Sequence, residues 1–452
     1  MTEPLDPAVG LRPRIEQDLD QRAESLRRRM HSPLCGILTS LGYLNRSSGG
    51  PAMLIGSGDL TGVHVLSGQP APKPGSFHLG GSSSVPFESR IRVLAESLER
   101  YAGHAITHDG SLPVRRASWE ELRAAGEPVL DSRAFSLFSP RQLATPGFPF
   151  EPFSPDRPIG WLSLPSLPDG SRCWIPAQWF LLGYLPADDE PWLCTAVTTG
   201  TAAHTEPGRA LLAALEELIQ LDATMGHWHG ARPGTRIEHD RRTTALQRVI
   251  AADFAKLDPA PEFHLLHNAD LPGFTVACLI RQHGGLIPRM AIGLGSGARL
   301  ERAMHRALLE AAGVQWLAAW VRIQDAVEPP TGAGGNYDLE SNVGFYAGPA
   351  GAAVVERRFA ESAPARASDL PPDDEGGPRE IVRSIVRAFG STGKRLYWAD
   401  LSTVDVRALG FHVLRAWSPD TISLSLPGAP PSQHRRFAAY GGFDHADPHP
   451  YP

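Results

Sequence analysis

With 452 residues, 42% hydrophobic and 20% charged, the chain can bury a sizeable core and has room for two or three domains or one elaborate one. A formal net charge of −6 and a pI near 6.3 argue against nucleic acid or an anionic membrane as the main partner, since both need a concentrated basic field. No apolar run reaches the length of a membrane span and the acidic, proline-punctuated start lacks a signal-peptide core, so the expected compartment is the cytoplasm.

The first strong helical pattern is RIRVLAESLERYAGH (90 to 104). Advancing about 100° per residue groups Ile91, Leu94, Leu98 and Tyr101 on one flank and puts Glu96 and Glu99 on the other. Residues 139 to 170 are too rich in Pro and Gly for a long helix, and their Phe and Trp content predicts a packed segment. A second helix, GRALLAALEELIQLDATMGHW (208 to 228), sets Leu211, Leu215 and Leu218 on its apolar flank and Glu217 with Gln220 opposite. Asp222 falls inside that apolar flank, so it needs partners, either backbone groups or a catalytic role.

Runs at 274 to 280, 289 to 295, 352 to 359 and 412 to 417 read as strands, and a third helix at 298 to 316 stacks Arg306 and Glu310 one turn apart. Breaks are predicted at 327 to 343 and at 361 to 380, the latter as an acidic solvated loop. The alternation of helices and strands predicts an α/β or α+β fold. Cys35, Cys173, Cys194 and Cys278 show no CxxC spacing and are expected to be buried free thiols. The chain ends on DPHPYP (447 to 452), whose three prolines make a stiff extended peg.

Taken singly, each charged helix face is what a solvated surface helix shows, with i, i+4 pairs such as Arg92 to Glu96 or Glu96 to Arg100 worth about 0.2 to 0.5 kcal/mol. A functional reading needs the acidic faces to converge, which is costly without a divalent cation; Mg²⁺ takes a few carboxylate oxygens plus nucleotide phosphates. No P-loop is present: GSTGKR (390 to 395) lacks its spacing. GLGSGARLERA (293 to 303) is read as a strand-to-helix turn, with anion binding as the weaker alternative.

The segments GGSSSVPFESRIRVLAESLERYAGH (80 to 104) and TTGTAAHTEPGRALLAALEELIQLDATMGHW (198 to 228) resemble, in order, two signatures of the YcaO proteins. GSGARLERAMHRALLEAAG (295 to 313) and the closing stretch 396 to 428 continue the resemblance. It implies an α/β, mixed α+β fold with helices packed on sheets around an ATP site, residues 1–75 packing on a catalytic domain of 76–452. It also implies ATP and Mg²⁺ as cofactors, held without a P-loop. Carried onto this sequence, Glu96, Glu99 and Glu217 become metal ligands, joined by Gln220, Arg306 and Glu310 as nucleotide-side residues. A terminal P-x-P-x-P marks the azoline-forming cyclodehydratases of the family, which makes His449 or the Pro452 carboxylate the expected base.

The implied reaction converts Cys, Ser or Thr residues of a ribosomal precursor peptide to thiazolines or oxazolines. An E1-like (ThiF-like) leader-binding protein is the expected partner, with a dehydrogenase as a possible further one and a homodimer as the expected assembly. Departures from the pattern are Arg92 where serine is common, Thr199 for asparagine, and Gln220-Leu221 for Glu-Arg. They leave open a thioamide-forming activity or a scaffold subunit. A binding protein that offers its proline-rich tail as a linear ligand is the alternative from another class.

Overall fold

The structure, a computed structural model, describes residues 17–44, 51–66, 79–282, 288–327 and 339–451, with Leu11 and Gly68. Its main helices are α1 (Gln17–Met30), α2 (Pro86–Ala105), α3 (Pro207–His229), α4 (Leu300–Val327), α5 (Leu339–Ala347), α6 (Pro349–Ala360) and α7 (Pro378–Ser391). Pro86 and Pro207 open α2 and α3 at positions whose N–H needs no helical partner.

Four sheets form among the described residues. β1 (Leu38–Leu44), β2 (Leu54–Leu60) and β3 (Leu79–Ser83) make an antiparallel meander, so strands from the first 75 residues share a sheet with the strand leading into α2. β4 (Arg115–Ala117), β5 (Ile159–Pro165) and β6 (Arg172–Pro176) form a second. A third has the order β13-β14-β7, with β7 at Thr201–His204, β13 at Tyr397–Asp400 and β14 at His412–Trp417. The largest has the order β11-β10-β9-β8-β12 and comprises β8 (Thr235–Glu238), β9 (Glu262–Leu266), β10 (Phe274–Arg281), β11 (Met290–Gly297) and β12 (Ala363–Arg366).

The mixed helix and sheet architecture is the one expected, and three of the four predicted strands sit where the sequence places them. Residues 352–359 do not: they lie in α6, which starts at Pro349 after an extended Gly348 and buries Val355 and Phe359 one turn apart. The 361–380 stretch is solvated as expected, with only Ala367 buried, yet it is tied to the fold. It contributes β12, parallel to β8, and Arg242 holds it through Ala367 O at 2.8 Å and Asp373 at 2.6 Å. Part of the predicted break at 327 to 343 lies outside the described residues, and α5 occupies its end. Of the four free cysteines only Cys278 is buried; Cys35 is exposed and the other two are half-buried. The 139–170 stretch is packed as expected, with Phe138 and Phe150 stacked at 5.1 Å.

β11 carries α4 on its face unusually closely. A Cβ at Gly293 would stand 2.0 Å from Ala311 N, and one at Gly295 would stand 2.2 Å from Ala303 O. The glycines of GLGSG therefore serve strand-to-helix contact. Leu300, Ala303, Met304, Ala307, Leu308 and Ala311 are fully buried as a result.

Candidate active site: carboxylates gathered at three sheet edges

β3, β7 and β11 are each the last strand of their sheet, so each has backbone N–H groups without a ladder partner. On two of them a glutamate of a neighbouring helix accepts one: Gly80 N on β3 donates to Glu96 Oε2 at 3.0 Å and Ala203 N on β7 donates to Glu99 Oε1 at 2.8 Å, while the Leu294 backbone on β11 favours the charged form of Glu310. The Gly200–Thr201 backbone, in the turn that opens β7, favours the charged form of Glu217 on α3.

These side chains are recessed but reachable: Glu96 keeps 31% of its side-chain surface. Burial pushes all four carboxyls up, Glu217 to about 8 and Glu310 to about 7. The neighbouring Glu217 charge raises Glu99 further, and Glu96 adds to Glu310. Arg100, 3.8 Å from Glu96, opposes the effect on Glu96, Glu99 and Glu217, as the buried Arg415 does on Glu217. Four carboxyls that resist ionising in one another's presence form an oxygen-rich site suited to a hard cation and its phosphates.

Among the described residues, no group of three or more His, Cys, Asp or Glu side chains is drawn together into a metal cage. Glu96, Glu99 and Glu217 thus form no ready-made chelate. The donor set still fits Mg²⁺, which binds through one or two carboxylates and completes its shell with water and substrate phosphates.

The remaining expected residues fall as follows. Gln220 is half-buried on α3 one turn beyond Glu217, and its side-chain amide makes no hydrogen bond among the described residues. Arg306 is exposed and does not pair with Glu310. Its Nη1 donates to Glu216 Oε2 at 3.0 Å and to Ser296 O at 2.7 Å, and the sequence reading missed Glu216. A cavity of about 330 Å³ opens beside Glu216 and Ser296, with Asn268, Gly273, Phe274 and Ile385 among its walls. Arg92 pairs with Glu88 at 2.8 Å, leaving Glu96 to Arg100.

Asp222 is fully buried and structural. It accepts two Arg436 nitrogens at 2.9 and 2.7 Å, the Tyr440 hydroxyl at 2.7 Å and Ile422 N at 2.9 Å. The same helix holds the tail. Trp228 Nε1 donates to Asp447 O at 2.9 Å, and His229 O accepts Asp444 N at 2.7 Å. Tyr346 donates to Pro448 O, and His449 Nε2 meets Ser425 O at 2.7 Å.

His449 and Tyr451 are buried and stack with ring centroids 6.0 Å apart, and burial lowers the imidazole to about 4, so it is neutral at pH 7. Burial raises the Tyr451 phenol, with Tyr346 and Glu310 adding to the effect. Pro452 lies outside the described residues.

Carboxylates at sheet edges with flanking arginines make an oxygen-rich, charged site, and the sequence holds no P-loop. The family model described as YcaO cyclodehydratase, ATP- and Mg²⁺-binding, matches residues 80–422, and the chain belongs to that family, whose cofactors are ATP and Mg²⁺. No curated protein is a significant match.

Among solved structures, a heterocyclase in complex with substrate and cofactor is similar at a TM-score of 0.70 and 16% identity, over 99% of this chain and 61% of that one. The chain thus spans about three-fifths of that neighbour's length. The YcaO protein of Methanopyrus kandleri bound with AMPPCP and Mg²⁺ is similar at 0.57 and 17% identity, over 90% of each chain. The Escherichia coli microcin synthetase McbBCD complex is similar at 0.62 and 12% identity, over 94% of this chain and 99% of its own. At these identities the likeness is one of fold. No helix among the described residues is long and apolar enough to cross a membrane.

Proposed function

We propose that the protein is an ATP-dependent cyclodehydratase that forms thiazolines or oxazolines from Cys, Ser or Thr residues of a ribosomally made precursor peptide. The observation that carries this reading is a set of four carboxyls from three helices, Glu96, Glu99, Glu217 and Glu310, all raised by burial, with Glu96 and Glu99 anchored on backbone N–H groups of edge strands. When bound, Mg²⁺ and ATP supply the phosphoryl group that turns an amide oxygen into a leaving group.

The chain's own residues bind, orient and balance charge. Carboxylates of the cluster hold the metal side, with Glu96, Glu99 and Glu217 as the assigned ligands and Gln220 as a neutral oxygen donor. Arg306, already exposed and held by Glu216, turns its free donors to phosphate oxygen. The cavity beside Glu216 has the volume of a small-molecule pocket, which suits the rest of a nucleotide. The terminal segment, anchored through the buried His449 on Ser425 O, orders the peptide for attack by its thiol or hydroxyl. A leader-binding partner of the E1-like type presents the precursor, and a homodimer is the assembly we assign.

The test is to incubate the protein with its partner, the precursor and Mg²⁺·ATP, and to follow ADP release together with loss of one water per ring by mass spectrometry. Glu99→Gln is expected to abolish both. Water loss without ADP release, or neither from the intact system, refutes the reading.

A further inference from the structure

Arg415 lies on β14, opposite Thr201 of β7, with 1% of its surface exposed. Its Nη2 donates to Val197 O at 2.5 Å and its guanidinium lies over the Phe180 ring at 4.9 Å, yet Nε and Nη1 have no hydrogen-bond partner among the described residues. Burial lowers this guanidinium to about 10, and the Glu217 carboxylate partly offsets the effect. A buried cation with two idle donor nitrogens is costly unless an acceptor comes to it.

The same arginine lines a cavity of about 80 Å³ whose other walls include Phe138, Trp179, Trp417, Leu424 and Ala429. Ser425 also lines it, with its hydroxyl buried and unpartnered, while the Ser425 carbonyl holds His449 of the tail. The cavity wall is mainly apolar, with Arg415, Ser425 and the hydroxyls of Thr195, Ser418, Thr421 and Ser423 among its polar groups, and it joins the arginine to the residue that holds His449 of the tail.

The geometry points to this cavity as a substrate subsite that seats one small aliphatic residue of the peptide next to the residue that cyclises, with that residue's backbone carbonyl on Arg415 and Ser425. The inference rests on the cyclodehydratase reading and adds a side-chain preference to it. Size sets the preference: an apolar cavity of about 150 Å³ takes a benzene ring, and this one has about 80 Å³. Alanine fits and phenylalanine does not.

The test uses the full chain and two probes, acetyl-Ala-Cys-Gly-amide and acetyl-Phe-Cys-Gly-amide, titrated while following the fluorescence of Trp179 and Trp417 in the cavity wall. The alanine peptide is expected to bind at least tenfold more tightly than the phenylalanine peptide, and Arg415→Gln to lose that binding by at least tenfold. Ala429→Val, which narrows the cavity from a wall rather than removing its cation, is expected to shift preference from the alanine peptide to acetyl-Gly-Cys-Gly-amide, and it carries the test if the arginine variant does not fold. Binding of Mg²⁺·ATP is measured separately on each protein. Equal affinity for the peptides, no binding of any of them, or an Arg415→Gln variant that loses Mg²⁺·ATP while keeping the peptide preference would overturn the subsite. Failure of the wild type to bind Mg²⁺·ATP would instead overturn the enzyme reading.

Discussion

Replacing Glu217 by glutamine should make the nucleotide-free protein more stable in alkali while impairing its ligand binding. Burial pushes the Glu217 carboxyl from 4.5 to about 8. A carboxyl raised by folding favours the protonated native state. Its contribution is full below pH 4.5, falls as pH climbs through the window, and is exhausted above about 8. With each tenfold step of ionisation worth about 1.4 kcal/mol, the charged side chain costs the fold about 4 kcal/mol more at pH 9 than at pH 5. Halving this for solvent contact at the recessed but open site leaves about 2 kcal/mol. Glutamine has the same shape, keeps an oxygen acceptor, and never charges.

Urea unfolding of both proteins at pH 5 and pH 9, followed by tryptophan fluorescence, gives the difference directly. The variant should gain about 2 kcal/mol over wild type on going from the lower to the higher pH, because the other titrating groups are common to both. Calorimetry supplies the other half: wild-type affinity for Mg²⁺·ATP should rise with pH between 6 and 9 and release protons, while the variant binds more weakly and releases fewer. A stability difference that is the same at both pH values, or one favouring wild type at pH 9, refutes the idea that Glu217 is held strained for a ligand.

Asp222→Asn should destabilise the fold by about 3 kcal/mol, the lower end for breaking a buried pair, since Arg436 keeps Asp270 at 2.7 Å; a loss below about 1 kcal/mol in urea would contradict the role given to this aspartate. Tyr451→Ala should cost about 3 kcal/mol through the void it leaves against Trp228 and should slow ring formation by more than it weakens Mg²⁺·ATP binding. Unchanged turnover would separate the tail from the chemistry. Acid should also destabilise the protein. Burial lowers His229 to about 3 and His104, His434 and His449 to about 4, so below pH 6.5 the unfolded chain takes up protons that these sites refuse. With His204, His227, His239 and His267, which burial also lowers, they outnumber the raised Glu96, Glu99, Glu217, Glu301 and Glu310, so the urea midpoint should fall between pH 6.5 and 5, and a flat midpoint would count against buried neutral imidazoles.

The helices that carry the site were legible in the sequence because each has an apolar flank of helical period, and their acidic faces followed from the same arithmetic. Whether those faces met or merely faced water was not legible. That depended on β3, β7 and β11 ending their sheets beside them, which no local pattern encodes. Residues 352–359 misled because paired valines look strand-like, whereas Gly348-Pro349 and the buried Val355 and Phe359 set a helix. Glu216 escaped notice because its partner Arg306 is 90 residues away, and the obvious neighbour one turn along was Glu310. Arg415 could have been found, as a cation at an inward position of a buried strand is a standing anomaly.

Gly293 and Gly295 have a further bearing on the site. Since β11 and α4 touch where two methyl groups are missing, the helix bearing Arg306 and Glu310 has no slack toward the sheet. A single added carbon at either glycine would act as a shim, moving Arg306 and Glu310 away from the strand that faces them. The calibre of the site is thus set from behind, by backbone contact, so inserting bulk there offers a way to detune ligand affinity without altering any group that touches the ligand.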